Sequence, residues 1–212
     1  MRYLMKSFIA VALAVSLHLA SAGVFEDMLD AVKNNDVATV NGLLKKGVDA
    51  NTSDRDGNTL LMIAVNDGNF GVVHALLVAR ADPNRQNATG ESALMLAAFR
   101  GQVDVVKELL ANAALVNRPG WTPLMYAASN GSVELTKLLL AHGAQVNAAA
   151  VNGYTALMMA VRESKPDAVS LLLANGADPN AKTDTGFTAL SIARSNKTTV
   201  SIEQMLLKAG GR

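Results

Sequence analysis

Residues 120–131 read Gly120-Trp121-Thr122-Pro123-Leu124-Met125-Tyr126-Ala127-Ala128-Ser129-Asn130-Gly131. Gly120 supplies the positive φ of a tight turn. Thr122 is placed to cap a helix by accepting a backbone N–H, and Pro123 stands at the first helical position, where its missing N–H costs nothing. Leu124 and the alanines form an apolar face on a helix of about two turns, and Gly131 stops it.

Working outward, the same pattern returns. The hydroxyl residue recurs as Thr59, Ser92, Thr122, Thr155 and Thr188, in steps of 33, 30, 33 and 33 residues. Two positions before it stands Gly (Gly57, Gly90, Gly120, Gly153, Gly186), and two after it Leu (Leu61, Leu94, Leu124, Leu157, Leu190). Five positions after it stands Ala (Ala64, Ala97, Ala127, Ala160, Ala193). A second Gly (Gly68, Gly101, Gly131) turns the chain into a second helix carrying Leu76-Leu77, Leu109-Leu110, Leu139-Leu140, Leu172-Leu173 and, in the last copy, Met205-Leu206. Asn closes the units at Asn51, Asn84, Asn117, Asn147 and Asn180, a residue that stabilises turns and tolerates left-handed backbone.

Gly-x-Thr-Pro-Leu at one end, Gly-Ala-x-x-Asn at the other and a 33-residue period resemble the ankyrin repeat. The best copies are Gly120–Asn147 and Gly153–Asn180. The resemblance implies an all-α solenoid of about six helix-turn-helix units with projecting hairpin-like loops and a concave binding face. The units are expected at 24–53, 54–86, 87–117, 118–149, 150–182 and 183–212, within one domain over 23–212. The first unit lacks the turn Gly and capping Thr and carries Lys33, Asn34, Asn35 and Asp36 outward, which suits an N-terminal cap. The last replaces the inter-helix Gly by Lys197 and reads as a C-terminal cap.

Three departures from the family pattern stand out. Met62, Met95, Met125 and Met158 occupy the position where the family usually has His, and Ser191 follows in the last unit. A Met stripe at one repeat position predicts core packing. The fourth unit is three residues short, at Asn117-Arg118-Pro119-Gly120, which predicts a stunted loop. The residue between turn Gly and cap reads Asn58, Glu91, Trp121, Tyr154, Phe187, so three consecutive units place an aromatic there. That row is either an exposed patch or a lid over the repeat interfaces. Together with Phe99, Arg100 and Arg162, the residues Trp121, Tyr154 and Phe187 form the candidate partner surface, since aromatics and Arg dominate binding hot spots.

The 212 residues hold 19 basic and 18 acidic side chains, so no strong field marks a nucleic-acid or anionic-membrane binder. Arg2 and Lys6, the apolar run Phe8–Leu19 and Ala20-Ser21-Ala22 have the layout of a secretory signal peptide over 1–22, with cleavage after Ala22. At 15 residues, Phe8–Ala22 is short of the roughly 20 needed to span a membrane. Export is therefore expected, to the periplasm first and outside the cell second, with no membrane association after cleavage. With no cysteine there are no disulfides, and stability must come from packing.

Chemistry is thinly provided. His74 and His142 are the histidines beyond the leader, and neither makes a metal-ligating set. No nucleophile elbow or phosphate-cradling Gly run appears. Asp54-Arg55-Asp56-Gly57 lacks the third acidic ligand and distal Glu of a calcium loop. Asp104 with Lys107 and Glu134 with Lys137 read as solvated helix faces. No catalytic residue, metal or cofactor is expected. The expected function is binding: an exported interaction module, monomeric when free. It would serve as an accessory, stabilising or neutralising (immunity-like) partner of another envelope protein. The alternatives are an enzyme or small-ligand binder on a repeat scaffold, and a secreted effector that binds a host protein.

Overall fold

The computed structural model describes residues 23–195 and 200–212. Residues 1–22, read above as a secretory leader, and Lys197 lie outside them. The described residues form helices in pairs, with no β-strand beyond two isolated bridges, Ser53 with Thr59 and Ala149 with Thr155. They fall into two compact units, one ending at Ala81 and one running Asp82–Arg212.

The first unit holds α1 (residues 23–33), α2 (Val37–Lys45), α3 (Leu60–Asn66) and α4 (Phe70–Val78). Asp36 caps α2, its carboxylate accepting the Thr39 N–H at 3.0 Å and the Thr39 hydroxyl at 2.6 Å. α4 packs closely on α2: a Cβ on Gly71 would stand 2.9 Å from Val37 Cγ2, so no larger residue fits without displacement. Asn69 Nδ2 donates to the Val32 carbonyl at 2.8 Å, tying the loop before α4 to the end of α1. Met28, Val32, Val40, Leu43, Leu60, Leu61, Met62, Val72 and Leu76 make the core of this unit.

The second unit holds α5 (Ala93–Arg100), α6 (Val103–Ala111), α7 (Pro123–Asn130), α8 (Val133–Ala141), α9 (Ala156–Arg162), α10 (Pro166–Ala174), α11 (Ala189–Ser195) and α12 (Val200–Lys208). The odd-numbered helices pack side by side in the order α5, α7, α9, α11, and the even-numbered ones behind them. The expected caps are present: Ser92, Thr122 and Thr155 each accept the N–H three residues on at 3.4 Å. In the last pair Ser191 takes the Met position and returns the bond, since Thr188 N–H donates to Ser191 Oγ at 2.8 Å while Ser191 N–H donates to Thr188 Oγ1 at 3.3 Å. This is the reciprocal logic of a capping box with a hydroxyl in place of the carboxylate.

Met95, Met125 and Met158 are fully buried, as is Met62 in the first unit, so the Met stripe is core. Leu109, Leu139 and Leu172 are buried behind them. Each such side chain contributes about 1.5–3 kcal/mol through removal from water. In the last pair the buried position is Leu206 rather than Met205, because α12 begins one residue later in register than α10.

The closing asparagines do something other than the left-handed turn role expected of them. None of Asn84, Asn117, Asn147 and Asn180 has positive φ; among the described residues the left-handed non-glycine positions are Asn35, Arg80, Ala113 and Ser164. Instead each amide reaches forward to the end of the next second helix. Asn84 donates to the Ala113 carbonyl (3.0 Å) and accepts from Leu115 N–H (2.8 Å). Asn117 does the same with Gly143 and Gln145, Asn147 with Gly176 and Asp178, and Asn180 with Gly210 and Arg212. An amide carries a donor and an acceptor side by side, so one side chain satisfies two main-chain groups of its neighbour. Polar ties between consecutive pairs run along this asparagine ladder, and Asn130 Nδ2 adds another by donating to the Phe99 carbonyl at 2.8 Å.

Candidate binding surface

Within the second unit, the candidate residues with ring or cation–π contacts divide into two groups, one around Tyr126 and one around Tyr154. The first centres on a residue that the sequence reading passed over, Tyr126. Its ring packs edge-on against Phe99 with centroids 5.8 Å apart, and against Trp121 at 6.0 Å in a tilted arrangement. Phe99 is 52% exposed, while Trp121 and Tyr126 are half-buried. The Tyr126 phenol is pushed above its ordinary value of 10.0, first by burial and then by the charge and hydrogen bond of Glu91. Glu91 is itself held by Asn87 Nδ2 at 3.1 Å and Thr89 Oγ1 at 2.9 Å. Rings, phenol and carboxylate thus form one amphipathic cluster.

The second group is Tyr154 with Arg162, whose guanidinium carbon stands 5.6 Å from the ring centroid, a cation–π arrangement. Arg162 also pairs with Glu163 at 3.0 Å. Phe187 is 49% exposed and Arg100 is exposed at the end of α5. Among the described residues the three rings of the row do not stack on one another: Trp121 turns to Tyr126, Tyr154 to Arg162. Trp121 and Tyr154 are half-buried, and Phe187 is exposed. Tyr126 had a signal in the sequence, as the one aromatic in the series Ile63, Leu96, Tyr126, Met159, Ile192 four residues after the cap.

The loops between pairs are built alike, with one exception. In the second unit three of them close by a main-chain bond spanning four residues: Asn87 N–H to Glu91 (3.0 Å), Ala150 to Tyr154 (2.8 Å) and Thr183 to Phe187 (2.9 Å). Asp54 N–H to Asn58 (2.9 Å) repeats this in the first unit. Among the described residues, 117–121 lacks that closure and runs as a bend, because the three residues that would form the turn are missing. The shortened loop delivers Trp121 directly onto Tyr126.

Among the described residues, no group of three His, Cys, Asp or Glu is placed to hold a metal ion, and no helix is long and apolar enough to cross a membrane. Lys107, read as part of a solvated face, lies 3.7 Å from Asp104 and 3.6 Å from Glu134 on the next pair. All three are exposed, where such pairs contribute about 0–1 kcal/mol.

Comparison with known proteins follows the same lines. The family described as ankyrin repeats (3 copies) matches residues 28–119, 112–183 and 147–211. No curated protein matches the chain. Among solved structures, an ankyrin repeat domain from Acinetobacter baumannii is 32% identical with a TM-score of 0.78, covering 87% of this chain and 98% of its own. A chain in the structure of a predatory endopeptidase from Bdellovibrio bacteriovorus in complex with an immunity protein is 31% identical with a TM-score of 0.76, covering 86% of this chain and 97% of its own. Scaffolds of this kind are generally protein-binding modules, and no catalytic family is indicated. On repeat register, helix pairing and these matches, the chain belongs to the ankyrin-repeat family.

Proposed function

We propose that this protein is exported, acts by binding another envelope protein, and restrains that partner in the manner of an immunity protein. The observation that carries the reading is the Phe99–Tyr126–Trp121 cluster beside Glu91, with Arg162 on Tyr154 in the same unit. Half-exposed rings next to fixed charges are the composition of binding hot spots. Nothing in the core requires Phe99 to stand 52% exposed.

Export rests on the 1–22 leader, with 23–212 as the mature ankyrin-repeat domain, six units long and monomeric when free. The periplasm is the first destination, and the absence of cysteine suits an oxidising compartment. The neutralising role, over an accessory or stabilising one, is favoured by the likeness to a chain from an endopeptidase–immunity protein complex.

The test is affinity capture from an envelope extract with the tagged mature chain, followed by assay of the captured enzyme. The expected result is one dominant partner whose activity falls as the wild-type chain is added, and weaker capture by the Trp121→Ala/Tyr154→Ala/Phe187→Ala variant. A partner whose activity is unchanged or raised points to the accessory role. A chain that retains no protein at all overturns the binding reading.

A further inference from the structure

Trp121 and Tyr154 stand at the same place in consecutive repeats, one residue before the helix cap, yet their surroundings differ in charge. Over Tyr154 the chain supplies its own cation. Arg162, seven residues after the cap Thr155, places its guanidinium carbon 5.6 Å from the ring centroid and pairs through Nε with Glu163 Oε1 at 3.0 Å. Ring, guanidinium and carboxylate make one closed set.

Seven residues after Thr122 stands Ser129, followed by Asn130. Neither carries a charge, so the same position in this repeat gives Trp121 no cation. Ring and carboxylate are nevertheless present. Trp121 leans on Tyr126 with centroids 6.0 Å apart, and the Tyr126 phenol donates to Glu91. Glu91 is half-buried and is fixed by Asn87 and Thr89, whose side chains both donate to Oε2. All three donors are neutral, and among the described residues no lysine or arginine pairs with Glu91. A carboxylate offers about four acceptor sites, so the group keeps capacity for a further donor.

We infer that this cluster receives an arginine side chain of the partner protein, its guanidinium against Trp121 and Tyr126 and its N–H groups toward Glu91. This rests on the reading above that the chain binds an envelope protein, and adds the chemistry that protein must present. A half-buried carboxylate with neutral donors alone is compensated best by a cation, and aromatic faces attract one through their quadrupole. Arginine suits the place better than lysine, because its planar fork stacks on a ring and donates sideways to a carboxylate at the same time. Glu91 and Trp121 both contact Tyr126, so one side chain lying along that ring meets both. The Tyr154–Arg162–Glu163 set is the same arrangement completed within the chain, one repeat along.

The experiment uses the mature chain and the partner captured from envelope extract. Affinity is measured for wild type, Glu91→Gln, Phe99→Ala, Ser129→Arg and Ser129→Gln, with thermal melts as folding controls. Position 129 tolerates bulk, since Phe99 and Arg162 hold it in the flanking repeats. Ser129→Arg supplies within the chain the cation that Arg162 gives Tyr154, and so competes with the partner's arginine. The expected results are binding about tenfold or more weaker for Glu91→Gln and for Ser129→Arg, a much smaller loss for Ser129→Gln, and unchanged melts. The partner, alone and in complex, is also treated with phenylglyoxal, which modifies arginine. One partner arginine should be protected by the wild-type chain and protected less by Glu91→Gln at the same concentration. If Glu91→Gln and Ser129→Arg bind as tightly as wild type while Phe99→Ala does not, the arginine inference is overturned and the binding reading stands. Equal losses for Ser129→Arg and Ser129→Gln, or a complex in which no partner arginine is protected, overturn it as well. If no variant changes affinity, Phe99→Ala included, the ring cluster is not the binding surface and the two readings fall together.

Discussion

Asn147 and Gly176, 29 residues apart, are joined by a 3.0 Å hydrogen bond from the side-chain amide of the first to the carbonyl of the second. The same amide oxygen accepts from Asp178 N–H at 2.8 Å, so one side chain clasps the turn that ends the next helix pair. Replacing Asn147 by Ala leaves both groups to water and is expected to cost about 1–2 kcal/mol, two ordinary hydrogen bonds. Urea melts monitored by circular dichroism measure it. Asn147→Asp keeps the acceptor and loses the donor, and should fall between Ala and wild type.

Ala113 sits at the position where Gly143, Gly176 and Gly210 adopt the same left-handed backbone, with φ of 61°. For an L-residue that conformation costs about 1–2 kcal/mol. Glycine relieves it at an entropic cost of about 0.5–1 kcal/mol. Ala113→Gly is therefore expected to stabilise the chain by up to about 1 kcal/mol, or a few degrees in melting midpoint. Its carbonyl, the acceptor for Asn84, is retained. A lowered midpoint would show that the position is not strained.

Tyr126 provides an alkaline signature. Burial first, then Glu91, raises its phenol above 10.0, so the fold favours the neutral form. The stability linked to this group is fully present below the unfolded value near 10 and is lost as pH rises through the higher folded value. Spectrophotometric titration, with Tyr126→Phe as the blank, should show a phenol ionising later than an ordinary tyrosine. Glu91→Gln should lower that ionisation without returning it fully to 10, because burial is the larger cause.

Asp36 acts at the other end of the pH scale. Its carboxyl lies below 3.8 chiefly because the Thr39 hydroxyl donates to it, with backbone N–H donation from Thr39 adding to the effect. The cap is fully effective above the unfolded value and is lost as pH falls through the lower folded value. Asp36→Asn should therefore flatten the acid limb of the stability curve. An unchanged acid limb would mean that the cap contributes nothing.

Fold and site were not equally legible in the sequence. The helices were, because a Gly, a hydroxyl cap, Leu and Ala at fixed offsets each have one local physical job. The asparagine ladder was not: its partners lie 26–32 residues away, and local turn chemistry offers an equally good reason for Asn at those positions. In the candidate site, Trp121, Tyr154, Phe187 and Phe99 stood out by rarity. Tyr126 did not, since its position is aliphatic in the other units and the packing that joins it to Phe99 and Trp121 depends on how α5 and α7 are set.

Under the proposed function, the ring cluster on α5, α7 and the shortened loop carries the affinity for the partner. The decisive measurement is titration calorimetry of the captured partner against wild type and Phe99→Ala/Trp121→Ala. The expected result is a loss of affinity of about a hundredfold or more, the scale of hot-spot residues, with helical content and melting midpoint nearly unchanged. Equal affinity accompanied by a clear loss of stability would contradict it, and would make these rings part of the scaffold.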